Sequence, residues 1–210
     1  MPPKQATCID LSHLFDETTP CWPGDEKPAF QQTASIETDG YVGYTVKTSL
    51  HVGTHIDAPR HMLADGAFLS DIPTDHFFGR GQLIDAREKE ALTPDLLDTV
   101  SLEKGDIVLL MTGWDKHFGS PHYFEKFPEI TDSFARRLVE AEVSILGLDT
   151  PSPDSAPYAI HKTLLSANIL ILENLCHLDK LIGINDFEVF ALPAKIHTEG
   201  APVRVIARRS

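Results

Sequence analysis

The chain has 210 residues, 42% of them hydrophobic, which suits one globular domain over residues 1–210 with a sizeable core. With 31 acidic and 18 basic residues its formal net charge is −13, and this charge opposes binding to nucleic-acid phosphates. No apolar run approaches the roughly 18 residues of a membrane span, and residues 1–5 lead into no signal-peptide core. We therefore expect a cytoplasmic protein that binds neither nucleic acid nor membrane.

The cysteine content limits the kinds of site that the chain can build. Cys8, Cys21 and Cys176 are odd in number and form no C-x-x-C pair, as is typical of reduced thiols. Three such residues exclude a structural zinc site made of cysteines alone. The G-x-S-x-G motif is also absent, so a serine hydrolase is disfavoured.

The first part of the chain predicts short strands joined by irregular loops. Residues 8–11 predict a strand, and a proline-rich loop follows around Trp22, where a tryptophan more often packs than binds a ligand. The turn residues 39–43 separate two strand-like stretches, which indicates a hairpin. Apolar residues alternate from Tyr44 to Val52, so we expect these even positions to face the core.

Residues 51–61, HVGTHIDAPRH, hold three histidines and one aspartate, which are donor types of metal sites. The glycine and its β-branched neighbours disfavour a helix. A straight strand would hold His51 and His55 roughly 13 Å apart, at about 3.3 Å per residue. One ion with ligands at about 2.0–2.2 Å cannot span that distance. We therefore predict a bend at residues 53–54 that brings His55 and Asp57 back towards His51.

The rest of the chain alternates predicted helices and strands. We expect a helix from Thr93 to about Ser101 and a second helix capped by Thr131. Strands are expected at residues 82–85, 107–111, 143–148, 168–174, 187–192 and 203–207. This order indicates an α/β fold around a partly parallel, mixed sheet.

Two further candidates for the site lie in the second half of the chain. Residues 149–157 are too rich in proline for regular structure and are expected to form a site wall. His161 opens a short helical segment, and Glu173 ends an apolar strand, where a carboxylate is costly to bury unless it is paired or bound to a cation. From the residues alone, a solvated strand end is an equally good interpretation of Glu173. His76 is expected to be packed or at the surface. Trp114, His117 and His122 are expected to pack in loops, with the lining of a pocket as an alternative for one of the three.

The histidine motif at residues 51–61 resembles the H-x-G-T-H-x-D-x-P-x-H signature of the cyclase family of metal-dependent hydrolases, and it matches that signature at every fixed position. Similar features flank it over most of the chain: residues 10–13, 22–25 and 147–152, with His161 and Glu173. The resemblance implies a single α/β domain of the swivelling β/β/α type. It also implies a homodimer in which the partner chain helps to close the pocket.

The resemblance further implies a set of metal ligands and a reaction. His51, His55 and Asp57 would hold one ion, while Asp57 as a bridge, His161 and Glu173 would hold a second. The ions would be Zn(II), two per subunit, or Mn(II). Formamidases of this family hydrolyse N-formyl-L-kynurenine to kynurenine and formate in tryptophan breakdown.

Two more residues take roles from the same resemblance. His61, which Pro59 directs over the site, would act as the general acid and base, although a further ligand or an outer hydrogen bonder is an alternative for it. Trp22 would lie beside the aryl ring of the substrate.

Two other functions stay open at this point. Isatin hydrolases and related lactam or lactone hydrolases carry the same signature with a different pocket. A metal-binding protein without catalysis is a third interpretation, and an open coordination position occupied by solvent would exclude it.

Overall fold

The structure, a computed structural model, describes residues 8–89 and 91–209, so the expectation for residues 1–5 lies outside the described residues. The strands are β1 (Cys8–Asp10), β2 (Ala29–Ala34), β3 (Gly43–Lys47), β4 (His55–Asp57), β5 (Phe78–Asp85), β6 (Ile107–Met111), β7 (Ile145–Leu148), β8 (Leu170–Glu173), β9 (Phe187–Ala191), β10 (Gly200–Pro202) and β11 (Val205–Arg209). The α-helices are α1 (Ile36–Asp39), α2 (Asp132–Glu140) and α3 (Ala159–Ser166). Within these ranges, no helix is long and apolar enough to cross a membrane.

Nine strands form one mixed sheet in the order β1-β11-β9-β5-β6-β7-β8-β4-β10. Strands β5 to β8 pair in parallel, and the pairs on either side are antiparallel. The predicted α/β fold with a mixed sheet is therefore confirmed. Its parallel centre explains the continuous apolar runs, because a parallel strand is covered on both faces.

The central strand β6 contributes side chains to two apolar clusters, one on each face of the sheet. All five of its residues are buried. Ile107 and Leu109 belong to one apolar cluster, while Val108 and Leu110 belong to another on the opposite face. This alternation is the period of a strand. The second cluster includes the buried residues of α2 and α3, which cover that face.

The helix predictions succeeded in part. Thr131 caps α2 as expected, because its hydroxyl accepts a hydrogen bond from the Phe134 N–H at 3.3 Å. The helix predicted from Thr93 is a shorter 3₁₀ helix, Pro94–Thr99. The Thr93 hydroxyl there donates to the Asp95 carboxylate instead of capping the backbone. Helix α3 begins at Ala159, so His161 lies inside its first turn instead of opening the helix.

The hairpin is present, but the predicted orientation of its second arm is wrong. Strand β3 ends at Lys47, and Tyr44 and Val46 are 60% and 46% exposed. The reason is that β2 and β3 pair only with each other, in a two-stranded sheet separate from the main one. Neither arm joins the main sheet. The apolar alternation of β3 therefore does not correspond to burial in the core of this chain. Of the predicted core positions beyond the strand, Val52 is buried.

Candidate active site

The bend predicted in the histidine motif is present. Gly53 has a φ of +65°, a conformation that residues with a Cβ rarely adopt. The next residue anchors the bend, because the Thr54 hydroxyl donates to the Asn174 carbonyl at 2.6 Å and accepts from the His13 N–H at 3.0 Å. Strand β4 begins immediately after it, at His55.

The register of β4 brings three donor side chains together. His55 lies directly opposite Glu173 of β8, and its Nε2 is 3.2 Å from Glu173 Oε2. Asp57 follows two residues later and therefore points to the same face. Asp57 Oδ1 lies 3.5 Å from His55 Nε2. All three residues are buried, so the solvated strand end is excluded for Glu173.

His51 returns to this cluster from the far side of the bend. Its Nδ1 lies 2.8 Å from Asp57 Oδ1. Strand β10 makes room for the ring, because a Cβ added at Gly200 would be 2.8 Å from His51 Cε1. Strand β10 lies between the strands predicted at residues 187–192 and 203–207 and was not itself predicted.

His161 reaches the cluster from α3. Its Nε2 lies 3.3 Å from Glu173 Oε1 and 3.8 Å from Asp57 Oδ2. The other nitrogen, Nδ1, donates to Asp154 Oδ1 at 2.5 Å. Asp154 was absent from the predicted site, and its only sequence signal was its place in the proline-rich wall segment.

The cluster contains buried polar atoms that no described residue satisfies. They are His51 Nε2, His55 Nε2, Asp57 Oδ1, Asp57 Oδ2 and Glu173 Oε1. The short contact between His51 and Asp57 does not meet hydrogen-bond geometry. Unpaired buried polar atoms are rare and costly, and a bound cation satisfies imidazole nitrogens and carboxylates together. Two groups of donors lie within 4.8 Å of one another, namely His51 with Asp57 and His61, and His55 with Asp57 and Glu173. The residues therefore fit a divalent metal.

The electrostatics of the cluster also favour a bound cation. Burial alone would lower the pKa of His51 and His161, but their acidic neighbours outweigh it. Asp57 and nearby glutamates raise the pKa of His51 to about 9. The acidic neighbours Asp154 and Glu173 raise the pKa of His161 to about 10. Burial would raise the pKa of Asp57, yet the surrounding histidines hold it well below its usual range. The site thus attracts positive charge, which protons supply when no metal is bound.

His61 lies above the cluster, in a 3₁₀ helix that starts at Pro59. Its ring centroid is 4.0 Å from that of His51 and 6.0 Å from that of His161. Burial is the largest influence on its pKa, which is lowered, so the ring is neutral at pH 7. A neutral imidazole at this position suits both proton transfer and metal ligation.

The cluster opens into a cavity of about 360 Å³. Its aromatic lining includes Trp22, whose ring meets Phe124 edge-on at a centroid distance of 5.4 Å. Pro151 and Ser152 line it as well, as expected for residues 149–157. His76 lies outside this lining, as expected. Trp114, His117 and His122 lie outside it too, so the alternative that one of them lines this cavity is not met.

A mixed α/β sheet with a buried cluster of histidine and carboxylate donors beside a cavity is compatible with a metal site that faces a small-molecule pocket. The Cyclase family model matches residues 9–155, and the chain belongs to this family. It is 32% identical to a kynurenine formamidase of Bacillus cereus over 98% of this chain and 99% of that protein.

Solved structures show the same fold. Isatin hydrolase A from Labrenzia aggregata, solved with benzyl benzoate, superposes with a TM-score of 0.87 and 25% identity over 97% of this chain and 93% of that one. A structure described as a potential metal-dependent hydrolase with cyclase activity gives 0.79 and 26% over 98% and 99%.

Proposed function

We propose that the protein is a metal-dependent hydrolase that cleaves N-formyl-L-kynurenine to L-kynurenine and formate. The observation that carries this proposal is the convergence of buried, unsatisfied histidine and carboxylate donors at an aromatic cavity. The kynurenine formamidase relative, similar over nearly the whole of both chains, supplies the substrate class.

The donor set divides between two metal ions. His51, His55 and Asp57 would hold one, and Asp57, His161 and Glu173 would hold the other. Imidazole and carboxylate donors suit Zn(II), and the share of oxygen ligands also suits Mn(II). When bound, such ions polarise an amide carbonyl and lower the pKa of water towards ~7.

His61 is the residue proposed to move the proton. Its neutral imidazole faces the donor cluster from the cavity side, so it can accept a proton from the attacking water. It then donates that proton to the aniline nitrogen as the C–N bond breaks. Formate keeps the oxygen of water, and kynurenine keeps the amine.

The cavity wall supports an aryl substrate that carries an ammonium group. Trp22 and Phe124 offer flat apolar surface to the ring. Asp25 also lines the cavity and is exposed, so it provides a carboxylate for the α-ammonium of an amino acid. Isatin has no such ammonium, and this difference favours the formamidase.

Isatin hydrolysis remains the second candidate because an isatin hydrolase shares the fold at 25% identity. The two functions are separated by turnover of N-formyl-L-kynurenine and of isatin with zinc-loaded protein. The formamidase proposal predicts a clear preference for N-formyl-L-kynurenine, and Asp25→Asn should raise KM for it by roughly tenfold while leaving formanilide, which lacks the ammonium, unchanged. Preference for isatin would replace the substrate, and silence on both would favour a metal-binding protein without catalysis.

A homodimer is proposed on the basis of the β2–β3 hairpin. Its exposed apolar side chains are Ile36, Tyr41, Val42, Tyr44 and Val46. A two-stranded ribbon is marginal alone, and several exposed apolar side chains on one hairpin suit an interaction surface. The chain continues from this ribbon into the histidine motif, so a second copy seated here would lie near the cavity.

A cytoplasmic location is the remaining proposal from the sequence. The cysteines Cys8, Cys21 and Cys176 are all free in the structure. Free thiols are typical of a reducing compartment, which supports that location.

A further inference from the structure

Asp154 is a buried carboxylate behind His161, on the side of the ring that faces away from the cluster. Its Oδ1 accepts the Nδ1–H of His161 at 2.5 Å, and its Oδ2 accepts the Ile160 N–H at 2.7 Å. Asp154 itself is 5% exposed. Both of its oxygens therefore hold the first turn of α3, one through the backbone and one through the imidazole.

This contact determines which nitrogen of His161 is available to the cluster. Since the carboxylate can only accept, Nδ1 must carry a proton, and in the neutral ring Nε2 then offers its lone pair. That Nε2 lies 3.3 Å from Glu173 Oε1 and faces the cavity end of the cluster. A flipped ring would place a carbon against Asp154 and lose this hydrogen bond.

The wall segment also holds Asp154 in place. The Ser152 hydroxyl donates to the Asp154 carbonyl at 2.7 Å, and both residues are buried. This hydrogen bond fixes the backbone of the wall segment from which the Asp154 carboxylate reaches α3. Pre-set geometry of this kind is what an outer hydrogen bond to a ligand requires.

His55 provides a comparison within the same site. Its Nδ1 contacts the Gly53 carbonyl at 2.8 Å, a neutral partner. His161 instead has an anionic partner, and a carboxylate raises the basicity of the imidazole more than a carbonyl does. His161 also comes from an α-helix, so the position of its ring depends on how that helix is fixed.

We propose that Asp154 is a positioning residue that fixes the tautomer and orientation of His161 for metal binding. This inference rests on the metal site of the proposed function, and it does not depend on the substrate. Removing the carboxylate should weaken zinc binding at the position that His161 serves, by about 10- to 100-fold.

The test compares Asp154→Asn with Asp149→Asn by chelator competition for zinc. Asp149 is a matched control because it is also buried and accepts hydrogen bonds from Thr112 N–H and Gly113 N–H, while no hydrogen bond or ion pair joins it to a histidine among the described residues. We expect zinc affinity to fall in Asp154→Asn only. Equal affinity in both variants and the wild type, or an equal loss in both variants, would overturn the proposal.

A second measurement is made on the wild type and uses a variant only to assign the signal of His161. Imidazole ¹H–¹⁵N correlation spectra of zinc-loaded wild type, with His161 assigned from a His161→Gln spectrum, identify the metal-bound nitrogen. Metal at Nε2 with a slowly exchanging Nδ1–H supports the proposal, and metal at Nδ1 overturns it. Zinc binding with this pattern but no hydrolysis of N-formyl-L-kynurenine would sink the proposed function and leave the role of Asp154 standing.

Discussion

At the scale of single residues, the proposed ligands His55 and His161 differ from His61, the proposed proton carrier, in the partner of the ring nitrogen Nδ1. His55 and His161 each have a protein partner at Nδ1, which leaves Nε2 for a metal. Among the described residues, no hydrogen-bond partner holds the His61 ring, which packs against the ring of His51. The alternative role of His61 as a metal ligand is nonetheless geometrically allowed, because one of its ring nitrogens lies within 4.8 Å of the donor atoms of His51 and Asp57.

Substitution of His61 decides between these roles. As the proton carrier, His61→Ala should keep its metal content and lose turnover by roughly 10²- to 10⁴-fold. The acid limb of kcat/KM in the wild type should lie below pH 6.5, because the pKa of His61 is lowered and the ring must be neutral to accept a proton. Metal analysis and a pH profile test both points. Stoichiometric loss of metal in this variant would make His61 a ligand.

At the scale of elements, the short strand β4 organises the site. It pairs with β8 on one side and with β10 on the other, so that Asp57 lies opposite Gly200 and His55 opposite Glu173. A slip of one residue would turn His55 and Asp57 to the other face. The bend at Gly53 and the space at Gly200 then admit His51.

Gly200 offers a direct test of this packing. In Gly200→Ala, the new Cβ would meet His51 Cε1 at 2.8 Å and the Ile56 carbonyl at 2.9 Å, so the ring must move away from Asp57. We expect metal affinity to fall by about tenfold or more. Gly79→Ala is the control, because its Cβ is also tight, at 3.1 Å from the Gly105 carbonyl, but far from the cluster. Unchanged affinity in Gly200→Ala would show that His51 is not held by this contact.

The same elements show what sequence can and cannot predict. Spacing alone predicted the bend, since His51 and His55 could not otherwise share an ion, and the apolar run ending in Glu173 predicted β8. The prediction for strand β3 was wrong because its apolar side chains are exposed. No local sequence pattern distinguishes apolar residues of a core from apolar residues of an exposed surface. Asp154 was missed because its partner depends on how the wall segment packs on α3, which is a tertiary fact.

At the scale of the whole molecule, the exposed β2–β3 hairpin is the proposed dimer interface. If a second copy covers it, Tyr44→Lys should shift the protein from dimer to monomer in sedimentation velocity, because burying an unpaired charge at an interface is costly. Leu192→Lys is the control, since Leu192 is 52% exposed and lies outside the hairpin. Monomeric wild type, or a dimer untouched by Tyr44→Lys, would contradict this interface.

The charge balance of the cluster makes stability depend on pH and metal together. His51 and His161 have folded-state pKa values of about 9 and 10, above the ordinary 6.5, so their protons stabilise the metal-free fold fully below pH 6.5. That stabilisation is lost as the pH rises through 9 to 10. Each pH unit per histidine corresponds to at most about 1.4 kcal/mol, or roughly 3–6 °C in melting temperature for a chain of this size.

Thermal melts from pH 6.5 to 10 check this expectation. Metal-free protein should lose stability over that range, whereas zinc-saturated protein should lose much less, because the metal replaces the protons. Parallel curves for the two forms would argue against metal at these histidines.

The most direct test of the central claim, that the buried donor cluster holds the metal on which hydrolysis depends, is kynurenine release before chelation, after it, and after metal is restored. We expect turnover of N-formyl-L-kynurenine to disappear with the metal and to return with Zn(II) or Mn(II), in proportion to the metal bound. Full turnover by protein shown to be metal-free would contradict the account.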